Sequence, residues 1–385
     1  MDGKHSLSAT NLAVCQHLNC DLYIHNVYNG SRQAVSTSSP ESELTKAQCK
    51  RGLDWETSLY SWLDRSKLLL KVPSMPLEAS SLLENIQADD RAHFFITGLT
   101  FWPPQAKLAE IFFARARTEP FNFGLAKPDL LEIKRSKDGV INWRVLDAKA
   151  SKHVKVGPYF VIQRTVFSFA HFFYPQTSHH IQIYFYTLCL KHLLEHPLYQ
   201  AVDSAGIWLP PTNGFHTSTP SLEDIKSISI SLLAPAFDTF LFEELPRILS
   251  QRYEQVKWHY NPLCHGCKYE PECRPRVQKE GGLGSMPNIS IDDARVLKDL
   301  LRLSHVSAPF DSDEKLTDIE QLHDLFAKPR KLDIISGRSP VLVKKSKQIL
   351  GVSRKRMKKG PLLSPPVEAA RENAIQVSSE MPRHI

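Results

Sequence analysis

The sequence predicts an α/β fold, and three observations predict it. Strand-like apolar runs are interleaved with longer helical patterns from the N-terminus to about Tyr253. Asp138-Gly139 sits between two of the strand-like runs, a strong hairpin signal. The 385 residues are 42% hydrophobic, enough for one large domain or two modest ones with their own cores.

Taken in order, residues 1–30 read as a helical opening, with Leu12, Cys15, Leu18 and Leu22 near helical spacing. Residues 31–45 are Ser-rich and polar, a loop. A helix is expected from about Lys46 to Leu70, its apolar positions Leu53, Leu59, Tyr60, Leu63 and Leu68. Strands are expected over His93 to Phe101, Ile111 to Arg117 and Asp129 to Lys134, the last pairing with Val140 to Ala150 across the Lys137-Asp138-Gly139 turn. Phe160 to Tyr174 is aromatic-rich, and its pattern suits a helix or a buried strand equally. His180 to Leu194 predicts a helix with a broad apolar face. Ala205 to Leu209 and Ile225 to Leu233 predict strands, and Ala234 to Tyr253 a helix leading into a cysteine-rich segment. Ile291 to Leu303 and Leu316 to Phe326 predict two short helices, a small helix-hairpin-helix-like DNA-binding unit. Beyond Pro329 the chain is basic and Pro-rich without periodicity, and disorder is expected.

Composition excludes several classes. No run of eighteen apolar residues occurs, so no membrane span is expected. The opening MDGKHSLSAT lacks an apolar h-region, so an intracellular, reducing compartment is expected. The net charge of +7 comes from one stretch: Lys328 to Lys359 holds twelve basic residues and one acidic, and the remainder is slightly acidic. The block VKKSKQILGVSRKRMKKGP is of nuclear-localisation or nucleic-acid-patch type; a solvated tail is the plainer reading. The tail's composition suggests a genuine end. No internal repeat and no Walker A pattern occur, so no ATPase is expected here.

The chemistry-bearing residues gather around the hairpin. Asp147 and Lys149 are two apart, so both side chains leave one face of the strand. Asp129, after Lys127-Pro128, opens the partner strand and can meet Asp147 across the hairpin. Two converging carboxylates are hard oxygen ligands suited to Mg²⁺ or Mn²⁺. Such an ion polarises a phosphodiester and ionises a bound water, and an adjacent ammonium steadies developing charge. Asp-x-Lys and Pro-Asp are each common alone; their order across one hairpin is the informative feature. Gln182 and Tyr186, at i and i+4, are neighbours on one helix face and suit positioning of the lysine or a DNA backbone. Tyr184 reads as a core aromatic.

Three of the seven cysteines form Cys264-x2-Cys267-x5-Cys273. Clustered soft thiolates in a reducing compartment favour an iron–sulfur cluster or zinc. No fourth cysteine lies immediately downstream, so a cluster's fourth ligand must come from far away in sequence; a zinc knuckle would take His17 or His265. Cys189 reads as an ordinary buried thiol.

Pro-Asp, then Asp-x-Lys, then Gln-x-x-x-Tyr resembles the RecB-like branch of the PD-(D/E)xK nucleases, over about Leu7 to Arg276. The resemblance implies a restriction-endonuclease-like core, a central mixed sheet flanked by helices. It implies Asp129, Asp147 and the carbonyl of Ala148 as metal ligands, Lys149 as the catalytic lysine, and Gln182 and Tyr186 as supporting residues. The segment WHYNPLCHGCKYEPEC resembles the trailing motif of stand-alone predicted RecB nucleases. It is similar in spacing to CRISPR-adaptation nucleases and the nuclease domain of the Okazaki-flap nuclease-helicase. It implies a 4Fe-4S cluster on Cys264, Cys267, Cys273 and an N-terminal cysteine, Cys15 by alignment of SATNLAVCQHLN, with Cys20 and then Cys49 as alternatives. That cluster would clip the N- and C-terminal parts together. The chain departs from the family at Trp55, which stands where a metal-binding His is usual; Glu56 or Asp54 is then the substitute ligand, or activity is weakened. A solvated acidic helix face is the plain alternative for both.

The sequence therefore predicts a nuclease domain over residues 1–276, a helical extension over 277–328 and a basic tail over 329–385. The expected activity is hydrolysis of single-stranded or flapped DNA, with a helicase in trans as a partner. A non-catalytic DNA-binding or recruitment module is the alternative from a different class. A nuclease fragment of a larger nuclease-helicase is a third reading.

Overall fold

The computed structural model describes residues 5–30, 43–73, 75–116, 121–150, 177–211, 219–256, 258–264 and 267–280. Residues 31–42 of the loop expected over 31–45, the Phe160–Tyr174 segment, the two helices from Ile291 and the basic tail lie outside them; residues 43–45 of that loop are helix instead. The chain divides into two compact units, Met1–Val256 and Lys257–Ile385. The three trailing cysteines thus belong to the second.

The first unit is a seven-stranded mixed sheet with helices packed on it. Its elements are α1 (Ala9–Leu18), α2 (Asp21–Asn29), α3 (Glu43–Arg65), β1 (Leu69–Lys71), α4 (Ala79–Ala88), β2 (His93–Thr97), α5 (Gln105–Ala116), β3 (Leu130–Arg135), β4 (Ile141–Ala148), α6 (Thr177–Leu193), β5 (Tyr199–Ala201), β6 (Ser204–Trp208), β7 (Ile225–Ser229), α7 (Ile230–Thr239) and α8 (Leu245–Ser250). The strand order is β1-β2-β3-β4-β6-β7, with β5 also on β4. β1–β2, β4–β5 and β4–β6 are parallel; β2–β3, β3–β4 and β6–β7 are antiparallel. Among the described residues no helix is long and apolar enough to cross a membrane.

The β3–β4 hairpin forms as its sequence predicts. Gly139 takes φ 83°, a left-handed turn position that suits a residue without Cβ, and the Ser136 N–H donates to Val140 O at 2.8 Å. Register runs from Arg135↔Ile141 to Leu130↔Leu146. One layer below the sheet, Trp55, Leu59 and Leu63 recur at helical spacing on α3 and are fully buried against Leu69, Phe95, Leu130, Leu146, Ala148 and Trp208.

Four further expectations need correction. The run expected as a strand over Ile111 to Arg117 is not one: its described residues, Ile111 to Ala116, lie in α5, entered after Pro103-Pro104, with Leu108 and Phe112 burying one helical face. The helix expected to Leu70 ends at Arg65. Lys67 turns left-handed at φ 56°, and Leu69–Lys71 become β1 by pairing with β2. The strand expected over Ile225 to Leu233 ends at Ser229, whose hydroxyl caps α7 by accepting from Leu232 N. The strand expected over His93 to Phe101 stops at Thr97, leaving one further pair, Phe101↔Ala126. α4 and β5 carried no sequence expectation.

Candidate active site

The candidate site lies where β3 begins and β4 ends. Asp129 immediately precedes β3, and continuing the register one step beyond Leu130↔Leu146 sets it opposite Asp147. The Ala148 N–H donates to Asp129 Oδ2 at 2.8 Å, so the main chain of β4 fixes one carboxylate while carrying the other. The Lys149 ammonium donates to Asp147 Oδ1 at 2.8 Å. Asp147 is 5% exposed, and among the described residues its buried Oδ2 has no hydrogen-bond donor.

The end of β4 is held from below. Trp208 O accepts from Lys149 N at 3.1 Å and from the Trp55 indole N–H at 3.3 Å. Trp55 is fully buried, so the residue standing where the resemblance expects a histidine is part of the core. The row one position along α3 reaches the site. Tyr60 OH donates to Asp129 O at 3.4 Å, and Thr97 Oγ1 donates to the same oxygen at 3.5 Å. Glu56, one turn earlier, feels both Asp129 and Lys149. Asp54 faces elsewhere, paired with Lys50 at 2.7 Å.

From above, α6 supplies Tyr186, buried beside both aspartates, with the Lys127 backbone N–H donating to its hydroxyl. Gln182 is not brought to the carboxylates by any contact shown: its amide donates to Thr10 Oγ1 on α1 at 3.5 Å. Tyr184 is core, as expected, buried with its hydroxyl on Asp238 Oδ1 at 2.5 Å. His179, in the first turn of α6, feels Lys149, His180, His17 and Asp129. Tyr60, Thr97 and His179 were missed by sequence reasoning. Each comes from a different element, and only the i, i+4 spacing of Glu56 and Tyr60 hinted at one of them.

The electrostatics show a surplus of negative charge. Burial and then the neighbouring Asp147 push the Asp129 carboxyl up, to about 7, against the opposing pull of Lys149. Burial, then Asp129, raises Glu56. Burial works to lower Lys149, but Asp147, Asp129 and Glu56 outweigh it and hold the ammonium charged. Burial and the cation Lys149 press His179 down to about 4. Asp129 and Asp147 lie within hydrogen-bond reach of each other, an arrangement stable only with a proton or a cation between them. The donor set therefore suits a hard divalent cation. Ala148 serves the pair through its N–H.

In the second unit, Cys264 and Cys267 lie in the turn leading into α9 (Glu270–Glu280), where Cys267 N donates to Cys264 O at 2.9 Å, and Cys273 lies in the first turn of α9. Burial and the two neighbouring thiols push Cys273 up to about 12, and burial raises Cys264 and Cys267. Thiols are soft donors that a metal or cluster takes as thiolates, but these three do not form a group that could hold a metal ion. Cys15, in the first unit, is a buried thiol donating to Cys20 O at 3.6 Å. Cys189 is buried, as expected. The Cys49 side chain lies outside the described residues. Among the described residues, no group of three or more His, Cys, Asp or Glu forms a ready-made metal site.

Compared with protein-family models, curated proteins and solved structures, the chain matches none.

Proposed function

We propose that this chain is a divalent-metal-dependent DNA nuclease with a restriction-endonuclease-like, RecB-type core, acting on single-stranded or flapped DNA. The observation that supports it is the meeting of Asp129, Asp147 and Lys149 at one end of the hairpin, with Asp147 Oδ2 buried and lacking a donor among the described residues. Asp129 and Asp147 would hold Mg²⁺ or Mn²⁺, with Glu56 in place of the absent histidine and the Ala148 carbonyl as a further ligand. When bound, the ion polarises the phosphodiester and acidifies a water.

The chain's own residues do the rest. Lys149 holds a full positive charge beside the carboxylates and stabilises the charge that builds on the phosphate. Tyr60 and Thr97 keep the Asp129 main chain in place, and Tyr186 packs over the pair. A 4Fe-4S cluster on Cys264, Cys267 and Cys273, completed by Cys15 as the resemblance implies, would serve structure and not hydrolysis. A helicase in trans would supply unwound strands, and the basic Lys328–Lys359 stretch salt-sensitive affinity and a nuclear address.

Asp147→Ala and Lys149→Ala are each expected to lower cleavage of a labelled oligonucleotide by about a hundredfold or more, with unchanged circular dichroism. Full activity in both variants rejects the site. Anaerobic purification should yield a brown protein with roughly four irons per chain; zinc in its place removes the cluster and leaves the hairpin site standing. The burial of Trp55 favours a second reading, a DNA-binding module that has lost cleavage. Binding without hydrolysis in both Mg²⁺ and Mn²⁺ selects it.

A further inference from the structure

We infer that Trp102 is a stacking platform for an unpaired nucleobase of the strand whose phosphodiester lies at Asp129 and Asp147, which makes single-stranded DNA the preferred substrate. This rests on the nuclease reading above. Single exposed apolar residues are ordinary on protein surfaces. Trp102 differs in where it stands and how it is held.

Of the six tryptophans, Trp55, Trp143 and Trp208 are buried, Trp62 and Trp258 are half-buried, and Trp102 is 57% exposed. Its backbone is anchored on both sides. Phe101 is fully buried and exchanges both main-chain hydrogen bonds with Ala126, at 3.1 and 2.9 Å, and Pro103 is buried behind it. The indole thus faces water from a fixed main chain, and ordering it on binding costs little.

The pairing also locates it. Thr97 pairs with Leu130 and Phe101 with Ala126, the same offset, so the chain from β2 runs on past Asp129 without a net insertion. The left-handed Gly98, φ 75°, bends it there, and a Cβ at that position would meet Val72 O at 3.1 Å. Trp102 therefore stands four residues beyond the level of Asp129, at most about 13 Å, the limit set by strand rise. That is a span of about two to four nucleotides. Between them lies Lys127, exposed, its main chain held by Tyr186. A cation and then an aromatic face, leading away from a phosphodiester site, is the arrangement that binds a backbone and stacks its bases. In a duplex those bases are already stacked, and the indole has no face to meet.

The test is binding of the full chain, in EDTA so that nothing is cut, to three labelled probes of about twelve nucleotides. They are oligothymidylate, the same backbone made abasic, and a blunt duplex. Trp102→Ala should weaken oligothymidylate binding roughly 5- to 100-fold and leave the other two unchanged. Trp102→Phe should restore most of the loss and Trp102→Leu should not, a distinction that a merely structural residue would not make. Unchanged oligothymidylate binding in Trp102→Ala, equal loss on all three probes, or rescue by Leu overturns the inference. So does a shift in sedimentation of Trp102→Ala, which would assign the indole to a second copy of the chain. Wild-type binding that shows this pattern without cleavage in Mg²⁺ or Mn²⁺ removes the nuclease reading and leaves the platform. Cleavage that ignores Trp102 does the reverse.

Discussion

The β3–β4 hairpin carries two charged clusters three residues apart, and they are built on opposite balances. In the middle, Glu132 is 2% exposed and faces three basic groups: His93 Nε2 at 2.8 Å, Lys134 Nζ at 3.0 Å and the Arg144 guanidinium. Burial pushes its carboxyl up, but those donors outweigh burial and hold it down at about 2. At the hairpin's end, Asp129, Asp147 and Glu56 share the one ammonium of Lys149, and Asp129 is driven the other way. The first cluster is complete in itself and ties β2, β3 and β4 together. Among the described residues, the second is short of positive charge and has a buried oxygen without a donor. The difference teaches how to separate a structural charge cluster from a binding site on one sheet: count what is still missing.

That contrast is sharpest in stability. Glu132→Ala strands Arg144 half-way into the sheet and should lower the unfolding free energy by about 3 kcal/mol, read by urea denaturation. Asp129→Asn removes repulsion and should leave the metal-free protein at least as stable as wild type. A large loss there would mean that the end cluster is also structural.

Acid and base should pull the clusters apart. Glu132 has a folded pKa below its unfolded value of 4.5, so its contribution is full above that value and is lost as pH falls toward about 2. Asp129 has a folded pKa above its unfolded 3.8; the folded state then binds more protons, and its contribution falls as pH rises from about 4 to about 7. Melting temperatures across that window should therefore decline in EDTA and recover with Mg²⁺. Asp129→Asn should flatten the decline.

The smallest effect compares two acids on one helix. Glu56→Gln should weaken divalent-metal activation of cleavage roughly tenfold. Asp54→Asn breaks only the exposed pair with Lys50 and should leave activity unchanged, with stability within about 0.5 kcal/mol. Equal effects would remove Glu56 from the site.

What the sequence determined by itself was local. Strand alternation put Asp147 and Lys149 on one face, Asp138-Gly139 closed the hairpin that meets Asp129, and Cys264, Cys267 and Cys273 were close because the chain is short between them. Apolar runs were less decisive. Ile111-Phe112-Phe113 suits a strand until Pro103-Pro104 and Leu108 are weighed, and Leu68 to Leu70 prolongs a helical pattern that β2 captures as a strand. Only the tertiary structure distinguished Glu56 from Asp54, set Trp55 beneath the sheet, turned Gln182 toward Thr10 and brought Tyr60, Thr97 and His179 around Asp129. The reason is physical. Spacing along one element is dictated by covalent geometry, whereas the meeting of side chains from α3, β2, β3, β4 and α6 depends on how those elements pack.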